Sequence, residues 1–429
     1  MTELNAMNRK ISIERLCRQA KTAARALAHI TTPQKNAALE KIADQIWVER
    51  FEILASNAMD VAEASKTGLS EAMLDRLFLD EKRLSAIIAD LRQVTGLPDP
   101  VGEIFEEQAL PNGLQLHKQR VPLGVLGVIY ESRPNVTVDV AGLALKSGNC
   151  VILRGGSETI QSNLALVGAI QRGLLGTDVP VDVVQLITDT DRANVLELLQ
   201  MDHYIDMIIP RGGAGLHEFC RKNSRIPVIT GGIGICHLFV DESADLERAV
   251  EVIRNAKVQR PSVCNALDTT LIHRAVASEF LPRLVRRLAA DGVTFRADET
   301  AWSILKKLQN EGIQPAGIQD FDTEWLSLVL SLKVVNSLEE AIDHIANHST
   351  AHSDGILTEN KFHAAQFLER VDSAAVYVNA STRFTDGSQM GLGAEIAIST
   401  QRLHARGPMG LKELTTYKWI VKGDYNVRP

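Results

Sequence analysis

Between residues 121 and 210 the sequence alternates short apolar runs with segments of helical periodicity, and this alternation constrains the fold more than any other feature. The apolar runs have the length and β-branched character of buried strands, and they lie at 125–130, 150–154, 183–188 and 206–210. The helical segments lie between them, at about 135–146, 160–174 and 191–201. Strands that alternate with helices pair in parallel, because each helix returns the chain across the sheet. The sequence therefore predicts a parallel sheet with helices on both faces.

The remaining regions predict a helical lead-in, a hairpin and a second set of strand–helix units. Helical spacing precedes the sheet region, at 11–29, 34–64 and 70–94. Between about 105 and 121, Asn112-Gly113 separates two extended runs, as is typical of a β-hairpin. Strand and helix patterns then alternate from 236 to about 375, including 236–241, 245–258, 326–335 and 338–348. The end of the chain, from 377 on, is rich in Gly, Thr and Arg and has little helical periodicity.

Composition excludes several classes of function. The net charge is −7 and the sequence pI is about 5.9, so a nucleic-acid partner is disfavoured. The first residues lack the apolar segment of a secretion signal, and no apolar run has the length of a membrane span, so we expect a cytoplasmic protein. The five cysteines are scattered, without a CxxC pair or a Cys/His cluster at zinc spacing, and we therefore expect no metal site.

One cysteine is a candidate nucleophile. Cys264 follows the amphipathic helix predicted at 245–258 and lies in a loop that Pro261 interrupts. The other cysteines fall in apolar strand or amphipathic helix patterns, where packing is the ordinary role. A reactive thiol needs a nearby cation or helix terminus to favour the thiolate, and Lys257 and Arg260 are candidates. The alternative interpretation is an inert, buried Cys264.

Two glycine turns are candidate phosphate sites. No Gly-x-Gly-x-x-Gly follows the first strand of the sheet. Instead, Arg154-Gly155-Gly156 and Arg211-Gly212-Gly213 each place an arginine at a strand end and glycines at a helix start, an arrangement that suits phosphate. An arginine after the second strand also favours the 2′-phosphate of NADP. The alternative is a pair of tight turns with surface arginines.

Several segments together resemble the aldehyde dehydrogenase superfamily and, more closely, its gamma-glutamyl phosphate reductase family; they are 130–137, 146–156, 259–265, 391–396 and 404–410. The resemblance implies NADPH-dependent reduction of L-glutamyl 5-phosphate to L-glutamate 5-semialdehyde and phosphate, the second step of proline biosynthesis from glutamate. It implies an α/β fold of two parallel-sheet, Rossmann-like domains plus a β-rich oligomerisation flap. We expect an NADP-binding domain at 1–104 and 122–235, a catalytic domain at 236–397, and the flap at 105–121 and 398–429.

The resemblance also implies residue roles. Cys264 is expected to form the thioester, with Asn135 stabilising the oxyanion. Cofactor contacts are expected from Arg154 at the adenosine ribose with Gly155 and Gly156 beside it, from Arg211, Gly212 and Gly213 at the phosphates, and from Glu324 at the nicotinamide ribose. Candidates for binding the amino and carboxylate ends of the glutamyl group are Arg133, Asn135, His237 and Arg383.

Two other functions agree less well with the sequence. An ordinary aldehyde dehydrogenase that hydrolyses its thioester needs an acid before the catalytic domain, but this chain has Ile229-Thr230-Gly231-Gly232 there. A catalytically silent structural relative is disfavoured by Cys264 and by the two arginine–glycine turns. We also expect a separate glutamate 5-kinase to supply the substrate, by transient contact, and the hairpin and β-rich tail to support a homodimer.

Overall fold

The computed structural model describes residues 12–69, 71–308 and 312–428, which divide into two compact units. Unit 1 comprises Met1–Thr230, Leu392–Ala397 and Met409–Pro429, and unit 2 comprises Gly231–Gly391 and Ile398–Pro408. The division therefore falls at Thr230/Gly231, ahead of the boundary predicted at 235/236. The predicted flap segment 398–429 is shared between the units, because its first part belongs with unit 2.

Five helices begin unit 1: α1 (Ile13–Leu27), α2 (Thr32–Val48), α3 (Arg50–Lys66), α4 (Glu71–Leu77) and α5 (Glu81–Gly96). The single helix predicted at 34–64 is two helices, because Glu49 leaves helical geometry with φ −91° and ψ 10°. The helix predicted at 70–94 is also divided, and Asp80 caps α5 by accepting a hydrogen bond from the Arg83 N–H. The predicted helix starts at Ile11 and Ser70 lie outside the described residues.

The predicted hairpin is confirmed and gains a third strand from the end of the chain. Strands β1 (Ile104–Ala109) and β2 (Gln115–Pro122) pair antiparallel, with Gly113 at φ +89° in the turn between them. A positive φ of this size favours glycine. The last strand, β16 (Thr415–Lys422), pairs antiparallel with the other edge of β2. The result is a three-stranded antiparallel sheet in the order β1-β2-β16.

The predicted parallel sheet forms the centre of unit 1. Its strands are β3 (Val125–Tyr130), β4 (Cys150–Arg154), β5 (Val184–Leu186) and β6 (Met207–Arg211), all parallel and in the order β5-β4-β3-β6. The connecting helices are α6 (Pro134–Lys146), α7 (Ile160–Leu174) and α8 (Ala193–Leu198), and α9 (Ala214–Asn223) follows β6. The strand order reverses between β3 and β6, so the loops after these two strands lie at a topological switch point, where α/β sheets bind ligands.

Unit 2 contains the second predicted parallel sheet. Its seven strands have the order β10-β9-β11-β8-β7-β12-β13, and they are β7 (Cys236–Val240), β8 (Leu267–His273), β9 (Thr294–Ala297), β10 (Ile313–Pro315), β11 (Val329–Val335), β12 (Ser353–Leu357) and β13 (Ala375–Val378). Its helices are α10 (Leu246–Val258), α11 (Arg274–Ala289), α12 (Glu299–Leu305), α13 (Leu338–His348) and α14 (Lys361–Arg370). Two apolar clusters form its core, one around Phe280 and Phe295 and the other around Phe239 and Phe367.

Two short strands, β14 (Ala397–Ser399) and β15 (Gly407–Met409), form a separate two-stranded sheet. Within the described ranges, no helix combines the length and the apolar character that a membrane span requires. The α/β architecture with two parallel sheets and a mostly antiparallel third sheet agrees with the predicted fold class.

Candidate active site

Cys264 lies in the loop between α10 and β8, at the amino end of the parallel sheet of unit 2. Its side chain is half-buried, whereas the other four cysteines, all in the described part of the chain, are buried. Burial raises the pKa of Cys17 and Cys150 to about 12 and that of Cys220 to about 11. A thiol with so high a pKa is a poor nucleophile at neutral pH. Cys264 is therefore the thiol that solutes can reach.

The loop before β7 packs directly against the backbone of Cys264. A Cβ atom placed on Gly234 would overlap the Cys264 carbonyl oxygen and would lie 2.5 Å from its carbonyl carbon. The same carbonyl oxygen accepts a hydrogen bond from the Cys236 Sγ at 3.3 Å. Gly234 is thus required for the close approach of two loops. The sequence showed a glycine-rich stretch here, but this role depends on a contact that no local pattern encodes.

Glu324, the predicted ribose contact, is connected to the same loop. Its Oε1 accepts a hydrogen bond from the Gly234 N–H at 2.9 Å. Burial raises the pKa of this carboxyl group. Glu324 precedes β11, which is parallel to β8, so it lies at the same end of the sheet as Cys264. The structure therefore brings together Cys264, Gly234 and Glu324.

Arg383 also lies near Cys264. It belongs to the short turn Thr382–Phe384, is half-buried, and donates from Nε to the Gln259 Oε1 at 3.0 Å. Burial and the neighbouring Arg260 lower the pKa of Arg383, whereas Asp386 and a thiolate at Cys264 raise it. Arg383 is therefore a cation close to the thiol, and an anionic substrate group at this position would be attracted to it.

Lys257, the other candidate cation in the sequence, is not available to the thiol. It is buried, and its Nζ lies 3.2 Å from the Asp268 Oδ1. Burial favours the neutral form of both groups. It lowers the pKa of Lys257 and raises the pKa of Asp268 to about 6. Asp268 also accepts a hydrogen bond from the Trp325 N–H. The Lys257–Asp268 pair is therefore part of the buried interior of unit 2.

His237 has a structural position. It lies on β7, fully buried, and its Nδ1 and its backbone N–H both contact the Asp354 Oδ1, at 3.0 and 2.9 Å. The ring of His344 packs against it edge-on. An imidazole in this environment does not meet a solute in the described conformation. His237 therefore packs in the interior of unit 2, and its contact with the substrate stays a prediction from the resemblance.

The first glycine turn of unit 1 is more tightly packed than the sequence implied. The Arg154 guanidinium is mostly buried and donates to the carbonyls of Gly155 and Thr190, at 2.8 and 2.7 Å. Burial lowers the pKa of Arg154, and its Nε has no hydrogen-bond partner. Cβ atoms on Gly155 and Gly156 would overlap side chains of the following turn, those of Asn163 and Glu158 respectively.

The second glycine turn lies beside β3 at the switch point of the sheet. Arg211, the last residue of β6, pairs with Tyr130, and its buried Nε has no hydrogen-bond partner. The Glu131 Oε2 accepts a hydrogen bond from the Gly213 N–H at 3.3 Å, and a Cβ on Gly212 would lie 2.6 Å from that oxygen. The Glu131 carboxylate thus accepts a hydrogen bond from one of the backbone N–H groups at the start of α9. Around Gly213 itself there is open space.

The loops after β3, β4 and β6 have the position and the hydrogen-bond donors that a dinucleotide site needs. The residues after β3, β4 and β6 meet at the carboxyl edge of the sheet, where the fold binds nucleotides. Arg154 and Arg211 each keep a buried Nε donor without a partner. Glu131 and Glu158, which the sequence did not single out, add acceptors of the kind that ribose hydroxyls need. Among the described residues, no group of His, Cys, Asp and Glu could hold a metal ion.

Asn135 and Arg133 are at the start of α6 in unit 1. The Asn135 Nδ2 donates to the Asp139 Oδ2 at 2.9 Å, one turn further along the helix. Arg133 is the residue before this helix and is half-buried. The oxyanion role of Asn135 and the substrate contact of Arg133 stay predictions from the resemblance, since both residues lie in unit 1 and Cys264 lies in unit 2.

Asp139 predicts a pH dependence of stability. Burial raises the pKa of Asp139 to about 6. The nearby Asp90 also raises this pKa, whereas the hydrogen bond from Asn135 and the charge of Arg211 lower it. In the unfolded chain the pKa is about 3.9. The folded state therefore holds this proton more tightly, so Asp139 costs stability increasingly as pH rises from about 4 to about 6, and by a constant amount above. We expect the Asp139→Asn variant to become more stable relative to the natural chain over this range, measured by urea unfolding at pH 4.5 to 7.5.

A matched control is Asp424→Asn, in an exposed position near the end of the chain. Its stability relative to the natural chain should be the same at every pH in the series. A difference between Asp139→Asn and the natural chain that does not change with pH would contradict the assignment of a raised pKa to Asp139.

Comparison with known proteins gives consistent relationships. A family model described as the aldehyde dehydrogenase family matches residues 2–302. A gamma-glutamyl phosphate reductase of Roseiflexus castenholzii is 57% identical over 421 residues, covering 97% of this chain and 99% of that protein. A gamma-glutamyl phosphate reductase of Escherichia coli is 55% identical over 418 residues, covering 97% of this chain and 100% of that protein.

Solved structures agree with these relationships. The crystal structure of a gamma-glutamyl phosphate reductase from Thermotoga maritima superposes with a TM-score of 0.94 at 49% identity, covering 96% of this chain and 99% of that chain. An acetylating aldehyde dehydrogenase from Geobacillus thermoglucosidasius has 17% identity and a TM-score of 0.67, with 96% and 97% covered. At that identity the similarity shows a common fold.

Proposed function

Because this chain belongs to the aldehyde dehydrogenase family and, within it, to the gamma-glutamyl phosphate reductases, we propose that it reduces L-glutamyl 5-phosphate to L-glutamate 5-semialdehyde and phosphate with NADPH. Membership makes it an oxidoreductase that acts on an aldehyde, as the sequence predicted. The observation that carries the finer proposal is the thiol of Cys264, half-buried beside Arg383 and held by the Gly234 loop.

The chemistry at Cys264 follows from its surroundings. The thiolate attacks the acyl carbon, and the C–O bond to phosphate breaks to give a thioester and free phosphate. When bound, a reduced nicotinamide would supply a hydride to the thioester carbon. The resulting thiohemiacetal oxyanion would re-form the carbonyl and expel the Cys264 thiolate, which releases the aldehyde and restores the nucleophile. The positive charge of Arg383 would favour the thiolate and attract the anionic substrate.

Hydrolysis would compete with reduction if a base activated water near the thioester. The segment that would supply the base has Ile229, which is buried, and Thr230, and neither side chain is a general base at neutral pH. This segment therefore offers no base of the kind that a hydrolytic aldehyde dehydrogenase uses. This absence of an acid favours the acyl-phosphate reductase over the hydrolytic aldehyde dehydrogenase.

The glycine turns of unit 1 would hold the cofactor. We propose Arg154, Gly155, Gly156, Arg211, Gly212 and Gly213 as its contacts there, and the contact of Glu324 with the nicotinamide ribose stays a prediction from the resemblance. The preference for NADPH over NADH rests on the guanidinium of Arg154, which would attract a 2′-phosphate. A comparison of kcat/KM for the two reduced cofactors tests that preference directly.

Dependence on phosphate tests the reaction. In the reverse direction, oxidation of L-glutamate 5-semialdehyde by NADP+ should require inorganic phosphate, because phosphate must cleave the thioester. We expect NADPH formation, followed at 340 nm, to stop after at most one turnover per Cys264 when phosphate is omitted. Sustained oxidation without phosphate, with glutamate as product, would show a hydrolytic aldehyde dehydrogenase instead. Sulfate at matched ionic strength is the control for a general salt effect.

The expected partners stay proposals as well. Transient contact with a glutamate 5-kinase would protect an unstable acyl phosphate. Self-association is proposed for the three-stranded sheet of β1, β2 and β16, where the half-exposed side chains of Tyr417, Trp419 and Val421 lie on the edge strand.

A further inference from the structure

Asn265, the residue after Cys264, connects the nucleophile loop to a distant segment of unit 2. Its side chain is 4% exposed, and its Nδ2 donates to the Thr385 carbonyl at 2.8 Å and to the Arg383 carbonyl at 3.4 Å. Its backbone carbonyl accepts a hydrogen bond from the Thr382 Oγ1 at 2.8 Å. Side chain and backbone of one residue therefore both hold the segment 382–385.

The segment 382–385 is held firmly from its other side too. The Thr385 Oγ1 contacts the Ser353 Oγ and the Tyr377 hydroxyl, each at 2.6 Å. Ser353 and Tyr377 lie on β12 and β13 of the parallel sheet. Asn265 thus connects the nucleophile loop to a segment that the sheet already fixes, so the loop cannot shift independently of it.

The segment carries Arg383, whose position depends on these contacts. The Arg383 Nε donates to Gln259, at the other end of the nucleophile loop, and the Arg383 carbonyl accepts from Asn265, so both ends of this loop contact Arg383. Asn265 also keeps a buried Oδ1 without a hydrogen-bond partner. An unsatisfied buried oxygen costs stability, and such costs are concentrated at functional sites.

We propose that Asn265 is a positioning residue that fixes the Arg383 guanidinium beside the Cys264 sulfur and so makes this thiol selective for anionic acyl donors. The proposal rests on the function proposed above, because the substrate there carries both a carboxylate and a phosphate. In this proposal Asn265 does not touch the substrate. It holds Arg383, and Arg383 attracts the anionic groups of the substrate. Arginine suits this task, since its planar guanidinium binds carboxylate and phosphate groups with two parallel hydrogen bonds.

Alkylation of Cys264 tests the proposal without any turnover. Iodoacetate and iodoacetamide attack the same sulfur by the same displacement, with loss of iodide, but only iodoacetate is an anion. The ratio of their rates therefore measures the attraction for anions and cancels changes in thiol reactivity or access. We expect Asn265→Ala to lower this ratio by about tenfold, the factor that corresponds to ~1.4 kcal/mol. Intact mass, with a Cys264→Ala protein as blank, measures the rates.

Three further variants make the result decisive. Arg383→Leu should lower the ratio as far as Asn265→Ala, because it removes the guanidinium itself. Thr382→Val is nearly isosteric and loses only the hydrogen bond to the Asn265 carbonyl, so it should lower the ratio by a smaller factor. This variant takes the place of Asn265→Ala if the Asn265→Ala protein does not fold. Asn379→Gly is the matched control: its amide makes two hydrogen bonds to Thr358 at the opposite end of the sheet, and its φ of +54° suits glycine.

A lowered ratio in the Asn265, Thr382 and Arg383 variants, with the natural ratio in Asn379→Gly, supports the proposal. A natural ratio in Asn265→Ala and Thr382→Val would overturn it, and so would a natural ratio in Arg383→Leu. Neither reagent needs a nucleotide or phosphate, so failure of the phosphate test above would leave this result unchanged, and the two proposals fail separately.

Discussion

Replacement of Cys264 by alanine is expected to lower the rate of semialdehyde formation by roughly 10⁴-fold or more, because no other group can form the thioester. Binding of the cofactor should change by less than about twofold, since the side chain removed is small and contributes little binding energy. The measurements are the steady-state rate with L-glutamyl 5-phosphate, generated in place by a kinase, and titration of the protein with NADPH by fluorescence.

The control for this result is Cys17→Ala, which removes a buried thiol from α1 in unit 1. It should retain the natural rate and lose some stability through the small cavity left behind. Substantial turnover by Cys264→Ala would refute the thioester. Loss of both turnover and NADPH binding in a folded protein would show that Cys264 acts in cofactor binding rather than in covalent catalysis.

Replacement of Gly234 by alanine should also lower the activity strongly, although Gly234 carries no reactive group. The new Cβ would overlap the Cys264 carbonyl oxygen and lie 3.2 Å from the Cys264 Cα. The loop before β7 cannot retreat freely, because the Gly234 N–H is held by Glu324. We expect kcat to fall by at least about 100-fold, as the displaced sulfur loses its alignment, and stability to fall by about 1–3 kcal/mol from overpacking.

Gly317→Ala provides the comparison within the same unit. The nearest atom to a Cβ at Gly317 is 3.7 Å away, which is ordinary van der Waals contact, so activity and stability should change little. Circular dichroism and urea unfolding establish the folded fraction of both variants. If Gly234→Ala keeps the natural kcat, the contact between the two loops does not position the nucleophile.

Local patterns were sufficient to predict the strands of the parallel sheet in unit 1 and some of its helices. The strand Val125–Tyr130 and the helix Ile160–Leu174 have the predicted bounds, because apolar periodicity and turn residues specify them within a few positions. Glu49 shows where this reasoning fails. It interrupts a continuous helical pattern between α2 and α3, and nothing in its own segment marks the break.

The candidate site was predicted in part, for physical reasons that differ from residue to residue. Cys264 could be found because its loop differs from the apolar surroundings of the other cysteines. The roles of His237 and Gly155 could not, because each depends on a side chain from another segment. Asp354, which binds His237, is 117 residues away, and the Asn163 amide requires a glycine at position 155. Glycine turns that resembled phosphate loops are thus also required by packing.

The strand β16 has a consequence for the order of folding. It pairs with β2 along its whole length, and residues such as Arg120 and Thr415, which contact each other across the two strands, are 295 residues apart in the chain. Closing so long a loop costs considerable entropy before any contact is gained, and pairings of this kind slow folding. During synthesis, β2 emerges long before β16, so its second edge stays unpaired while the intervening residues are made. Completion of the three-stranded sheet is therefore a late event, and a chain interrupted before Thr415 exposes one edge of β2.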